Sequence, residues 1–390
     1  MFMFAAERNE AVVPEGVDQQ MNFEFSDDQE TLRGLAAKIF EDHGSSQRLR
    51  EVERSPEPFD RDLWAAVAAA GLLGAGVEEP YGSGMGLSGV CLVLEEMGRR
   101  VTPLPLWASA CVSGMTLDRF GAASLRDRLL TGVCDGSLIV APALEEPLQY
   151  SPATVATTVL REDGGWRLSG EKVAVPYATV ADHFLVTATC PDGSVGVFVV
   201  DRDQPGVTVQ AAMATTGEPL GLLQLSEAPV DSERLLLGAP GEAAAYAYRV
   251  GLAGLCVTAA GVLDGGLRIT AGYIGQREQF GRPIAAFQGP AMRIADAYID
   301  SQAVWVATWS AIWRLESGRP ADEALAIAKF WVADGGQRAV HAFQHLHGGI
   351  GVDVDYPIHR YFVWAKSLEA TLGGASVQLE QLGRILAVGA

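Results

Sequence analysis

Two stretches in the C-terminal third bring together residue types that could do chemistry. QREQFGRPIAAFQ, residues 276–288, sets a cation (Arg277), an aromatic ring (Phe280) and an amide (Gln288) at the exit of a long apolar segment. Such groups could meet a charged or planar ligand. The run is equally a helix stop, because Gly281 and Pro283 end regular structure and Arg277 complements the negative end of a helix. HAFQHLHGGIG, residues 341–351, spaces His341 and His345 as two metal ligands would be on one helix face. No acidic or cysteine ligand follows to complete a site, so no metal is expected. YGSGMGLSG, residues 81–89, is glycine-rich, but its glycines miss the dinucleotide spacing and no strand precedes it. It reads as a mobile turn.

The elements that position these groups follow from composition. The chain has 390 residues, 48% hydrophobic and 20% charged, enough for two or three domains around a large core. A formal charge of −19 without clustered Lys and Arg argues against nucleic acid and anionic membranes as partners. Five scattered cysteines with no C-x-x-C spacing fit a reducing compartment. The N-terminal residues lack the features of a signal peptide, and no uncharged run is long enough to span a bilayer, so a cytoplasmic protein is expected.

Texture changes twice along the chain. Residues 1–21 read as a flexible extension and 22–137 as a helical domain. DDQETLRGLAAKIFEDHG, capped by Ser26 or Asp27, repeats Leu32, Leu35, Ala36 and Ile39 at helical spacing. Further helices are expected in FDRDLWAAVAAAGLLG and SGVCLVLEEMGRR. Residues 138–238 turn to short Val-, Thr- and Leu-rich runs broken by DGG and PDGS, the pattern of an antiparallel β domain. Residues 239–390 return to long apolar helices, expected to form a four-helix bundle. The fold class is α+β, mainly α. Trp305, Trp309, Trp313 and Trp331 exceed what a small bundle would bury, which predicts a multimer through these helices.

The order helical, β, helical, with YGSGMGLSGVCLVLEEMGRR, APVDSERLLLG, REQFGRPIAAFQ and HLHGGIGVDVDYPIHRY, resembles the FAD-dependent acyl-CoA dehydrogenases along nearly the whole chain. The resemblance implies an acyl-CoA substrate, an electron-transfer acceptor and an FAD lying between subunits. By match, Arg277 reaches the FAD diphosphate, Phe280 packs beside the cofactor and Gln288 contacts its adenosine half. A guanidinium suits that role because it meets phosphate with two charge-assisted hydrogen bonds. Gly348 and Gly349 match the pair whose backbone lies close to the same diphosphate. His345 stands where the family usually has glutamine, with Gln344 just before it, and either could contact the cofactor.

In the family a carboxylate removes the α-proton of the thioester while a hydride leaves the β-carbon for the flavin. Its two usual positions fall at Leu372 and near Gly251, and neither is acidic. Glu369, one turn earlier, is the remaining candidate in the chain. Other departures lie where the family surrounds the flavin ring: Glu145 replaces a threonine, a G-S-D pattern is missing, and Ala174 and Pro176 replace a tryptophan and a hydroxyl residue. The ring half of the site is eroded and the half that reaches another subunit's FAD is intact. The resemblance is thus to the subunit without the base in heteromeric α2β2 dehydrogenases of the actinobacterial sterol type. A self-sufficient homotetramer with an unusual base, and a flavin-free acyl-CoA-binding scaffold, are the alternatives.

Overall fold

The computed structural model describes residues 24–55, 59–147, 149, 154–162 and 164–389. The expected extension over 1–21 lies outside them. Helix α1 (Asp27–His43) starts at Ser26, whose Oγ accepts the Gln29 N–H while Gln29 Oε1 accepts the Ser26 N–H. This reciprocal pair satisfies two helix-end donors. Ser26→Ala is expected to cost about 1 kcal/mol, visible as a lower urea midpoint with an unchanged slope. The buried face is Leu32, Ala36 and Phe40, and Leu35 is exposed. The expected stripe is therefore rotated by part of a turn.

Helices α2 (Ser46–Glu53), α3 (Arg61–Ala69) and α4 (Gly86–Arg100) follow. The glycine-rich stretch before α4 is a packed turn. Ser83, Gly84 and Met85 donate their N–H groups to the carbonyls of Gly74, Val77 and Ala75. A π-helical stretch (Leu106–Gly114), then α5 (Met115–Phe120) and α6 (Ala123–Cys134), completes the first helical region.

The β strands are β1 (Val140–Ala143), β2 (Thr158–Glu162), β3 (Gly165–Pro176), β4 (His183–Thr189), β5 (Val195–Asp201), β6 (Val207–Met213) and β7 (Pro219–Asp231). They form one sheet in the order β1-β4-β2-β3-β7-β6, with β5 also on β4. The hairpins β2–β3, β4–β5 and β6–β7 are antiparallel, as the turn residues predict. Strand β1 instead runs parallel to β4, because it enters from the helical region rather than through a tight turn.

Five helices close the chain: α7 (Glu242–Gln276), α8 (Gln288–Glu316), α9 (Asp322–His347), α10 (Ile358–Ala370) and α11 (Ala375–Gly389). The short strands β8 (Glu278–Gln279) and β9 (Arg282–Pro283) sit between α7 and α8. Helix α7 is long and apolar enough to cross a membrane, but 89% of its most apolar window is buried in the protein, which makes it a core helix. It crosses α4 at backbone contact. A Cβ at Gly98 would run into the Thr258 carbonyl, and one at Gly261 into that of Glu95.

Two of the four tryptophans are engaged within the chain. Trp305 and Trp309 donate their indole N–H groups to the Glu95 carboxyl at 3.2 and 3.3 Å, beside Arg99. Burial raises the Glu95 pKa, and these donors together with Arg99 oppose that shift. Trp313 and Trp331 are half-buried. The exposed apolar side chains of α8 are Met292, Tyr298, Ile299 and Val306.

Candidate functional site

The residues singled out by sequence fall into two places. The first is a cavity of about 100 Å³ where the sheet meets the helices, walled by Trp107, Leu255, Trp364, Leu368 and Leu372 and by Glu145, Ala174, Pro176 and Glu218. The two positions where a carboxylate was sought are neighbours here. A Cβ added at Gly251 would stand 3.1 Å from Leu372 Cδ1, so the leucine side chain uses space that the glycine leaves. Trp107 closes the same corner by donating its indole N–H to the Gly251 carbonyl at 3.0 Å.

Leu372 is 3% exposed and has φ 55°, a left-handed conformation that a leucine adopts only at a cost. Its backbone is held on both sides. The N–H donates to the Glu145 carboxyl, and the carbonyl accepts from Gln378 Nε2 at 3.1 Å and the Tyr248 hydroxyl at 3.4 Å. The strained turn is kept although no carboxylate stands on it.

Glu145 is the residue that sequence reading noticed only as a replacement. It lines the cavity, and burial in these walls pushes its carboxyl up to about 7, against the Leu372 N–H and the nearby Lys329 charge. Lys329 is fully buried and donates to the carbonyls of Leu368 and Glu369 at 2.9 and 2.8 Å, at the C-terminal end of α10. Burial lowers it to about 8. Its one visible signal was a lone cation in the apolar run ALAIAKFWVA. Glu218, also in the wall, takes hydrogen bonds from Tyr177 and Thr216 at 2.9 Å, and burial raises its pKa.

Glu369 does not join this cavity. Its carboxylate accepts from Lys366 at 2.5 Å on the same turn of α10. Glu146, next to Glu145, is structural. Burial alone would raise it, but hydrogen bonds from Lys172 Nζ at 2.7 Å, Thr157 and the Ala156 N–H lower it overall, pinning the loop between β1 and β2.

The second place is an exposed edge. Helix α7 ends on the Arg277 N–H to Tyr273 carbonyl bond, and β8 and β9 form a hairpin whose two loop residues, Phe280 and Gly281, have φ 53° and 78°. Both positive values match the tight hairpin turn that favours Asn-Gly. Phe280 is 94% exposed there. Its one ring contact among the described residues is an edge-to-face approach to Phe287 at 6.3 Å. Arg277 is exposed and makes no ion pair among the described residues, and Gln288 is exposed at the start of α8.

The glycine turn is further along, at the end of α9. Gly348 (φ 61°) donates its N–H to the His345 carbonyl and so ends the helix, and a Cβ at Gly348 or Gly349 would meet open space. His345 is exposed. Gln344 is turned inward, donating to the Gly351 carbonyl and bracing the turn. His347, buried, stacks on Tyr273 at 4.6 Å. Among the described residues no group of His, Cys, Asp or Glu is placed to hold a metal.

Family models match in chain order: acyl-CoA dehydrogenase N-terminal domain over residues 26–137, middle domain over 143–227 and C-terminal domain over 243–387. Acyl-CoA dehydrogenase FadE27 of Mycobacterium tuberculosis is 36% identical over 377 residues, covering 94% of this chain and 99% of that protein. A chain of a Tcur3481–Tcur3483 steroid ACAD variant is similar at 45% identity and TM-score 0.87, covering 93% and 98%. A chain of the ChsE4–ChsE5 complex from Mycobacterium tuberculosis is similar at 35% identity and TM-score 0.89, covering 94% and 99%.

Proposed function

The chain belongs to the acyl-CoA dehydrogenase family of FAD-dependent enzymes, and on that premise we propose that it is the subunit without the base in a two-chain enzyme. Its Arg277 edge would complete the FAD site of a partner chain that carries the carboxylate. The observation that carries this reading is the filled corner: Leu372 and Gly251 face each other, and Glu145 occupies the Leu372 amide.

The exposed edge supports the other half of the proposal. Arg277 would take a phosphate oxygen pair, Phe280 would gain the burial that rewards its strained turn, and Gln288 would offer its amide to a polar group beyond. The side-chain-free turn at Gly348 and Gly349 would let the diphosphate approach the backbone, with His345 beside it. FAD supplies the hydride acceptor when bound. This chain's residues position that cofactor and leave proton abstraction to the partner. The relatives named for paired chains and a steroid substrate favour a bulky, sterol-type acyl-CoA.

Flavin content tests the edge. Arg277→Ala, in the assembled protein, is expected to weaken FAD retention at least tenfold through loss of a charge-assisted contact, with unfolding unchanged. Undiminished flavin absorbance after gel filtration of that variant would remove Arg277 from the site. An exposed, strained Phe280 counts against a flavin-free scaffold, which has no use for it.

A further inference from the structure

The hairpin after α7 holds a second cation. Gln279 in β8 pairs with Arg282 in β9, so their side chains leave on one face, and the pleat puts the extended Arg277, two residues back, on that face too. Glu278 and Pro283 form the neighbouring pair and lie on the opposite face. The carboxylate of this hairpin is thus turned away from both guanidinium groups. Arg282 is exposed and, like Arg277, forms no ion pair among the described residues. With 48 acidic side chains against 29 Lys and Arg, carboxylates are plentiful in the chain, and none is placed against these two.

Arg282 is nevertheless held. Its guanidinium lies over the Phe287 ring, the central carbon 4.0 Å from the centroid, and Phe280 meets the same ring edge-to-face. Phe287 is fixed through its backbone. Its N–H donates to the Ile284 carbonyl at 3.1 Å, and its carbonyl accepts the Ala291 N–H at 3.0 Å where α8 begins. A stacked guanidinium uses its flat face and keeps the N–H donors in its plane directed outward. Two unpaired cations on one face repel each other, a cost that an anion shared between them removes.

On the reading of this edge as part of an FAD site, we propose that Arg282 is the second cation of the diphosphate clamp. It takes the adenosine-side phosphate while Arg277 takes the flavin-side one. Phe287 is the positioning residue that holds the Arg282 guanidinium flat, and it directly precedes Gln288, the amide offered to the adenosine half. A diphosphate carries a negative charge on each phosphate, and a guanidinium meets one phosphate with two charge-assisted hydrogen bonds. Two arginines on one face therefore match its charge, where Arg277 alone leaves one phosphate without a cation from this hairpin.

Dilution of the assembled, flavin-loaded protein, followed by the rise of free flavin fluorescence, gives the FAD dissociation constant at each salt concentration. Arg282→Gln is expected to raise that constant about tenfold and to make it less sensitive to salt, because one of two charge-assisted contacts is gone. Thermal unfolding and sedimentation of the complex should not change, since the side chain is exposed. Phe287→Leu keeps both cations and removes the platform, so it should also release FAD more readily, and Phe287→Trp, which restores a ring under the guanidinium, should recover most of that loss. If Arg277→Ala releases FAD while Arg282→Gln keeps the parent constant and salt dependence, Arg282 is overturned as a clamp residue and the edge stands. If neither variant changes the constant, the edge is not the FAD site and both readings fall. An Arg282→Gln complex that separates into subunits assigns the cation to a carboxylate of the partner and overturns the clamp as well.

Discussion

Purified by itself, the chain is expected to show no turnover of any acyl-CoA with an artificial electron acceptor, and turnover is expected to appear on mixing with a base-carrying partner. The α-proton of a thioester is weakly acidic, so a carboxylate must stand within hydrogen-bonding reach of that carbon. Neither Leu372 nor Gly251 offers one, and the leucine takes the space the glycine leaves. General base catalysis contributes about 10²- to 10⁴-fold. Glu369→Gln should leave the mixed complex fully active, since its carboxylate is held by Lys366 outside the cavity. Among the described residues two acidic groups, Glu145 and Glu218, line the cavity and so give a self-sufficient enzyme a chance; Glu218 is held by Tyr177 and Thr216, which leaves Glu145 as the better placed. Turnover by the homomeric protein that Glu145→Gln abolishes would replace the partner reading with that one.

The same Glu145→Gln change should stabilise the chain, and increasingly so as pH rises. Folding lifts this carboxyl from an ordinary 4.5 to about 7, mainly by burial. Below the unfolded value both states hold the proton and nothing is lost. Between that value and about 7 the folded chain binds more protons than the unfolded one, so stability falls with pH, by a total on the order of 3 kcal/mol. Glutamine does not titrate and still accepts from the Leu372 N–H. Urea unfolding at several values from about pH 5 to about pH 8 should show the variant drawing ahead of the parent at the alkaline end. A gap that stays constant with pH, or a variant weaker at the alkaline end, would mean that the carboxyl does not sit in this environment.

What sequence could reveal depended on how local each feature is. Helix α1, the three hairpins and the stop after α7 follow from caps, turn residues and periodicity, which act over a few positions. The parallel pairing of β1 with β4, residues 140–143 against 183–186, depends on a long connection and left no such mark. The Arg277–Phe280 edge was readable because its residues are close in sequence. The cavity was not. Glu145, Lys329 and Leu372 come from three separate segments, and the burial that raises the glutamate's pKa against the other two exists only where they meet. The internal role of Trp305 and Trp309 was hidden for a similar reason, since their partner Glu95 lies two hundred and ten or more positions away.

The Glu145–Leu372 contact also bears on ancestry. A glutamate introduced at 372 would set a second carboxyl against the first in the same apolar walls, where like charges raise each other's cost of ionising. Such a substitution would lose stability before it supplied a base. Independence would require several changes at once, none useful alone. If the two-chain reading holds, the packing around Leu372 ties this chain to its partner as firmly as the absence of the base does.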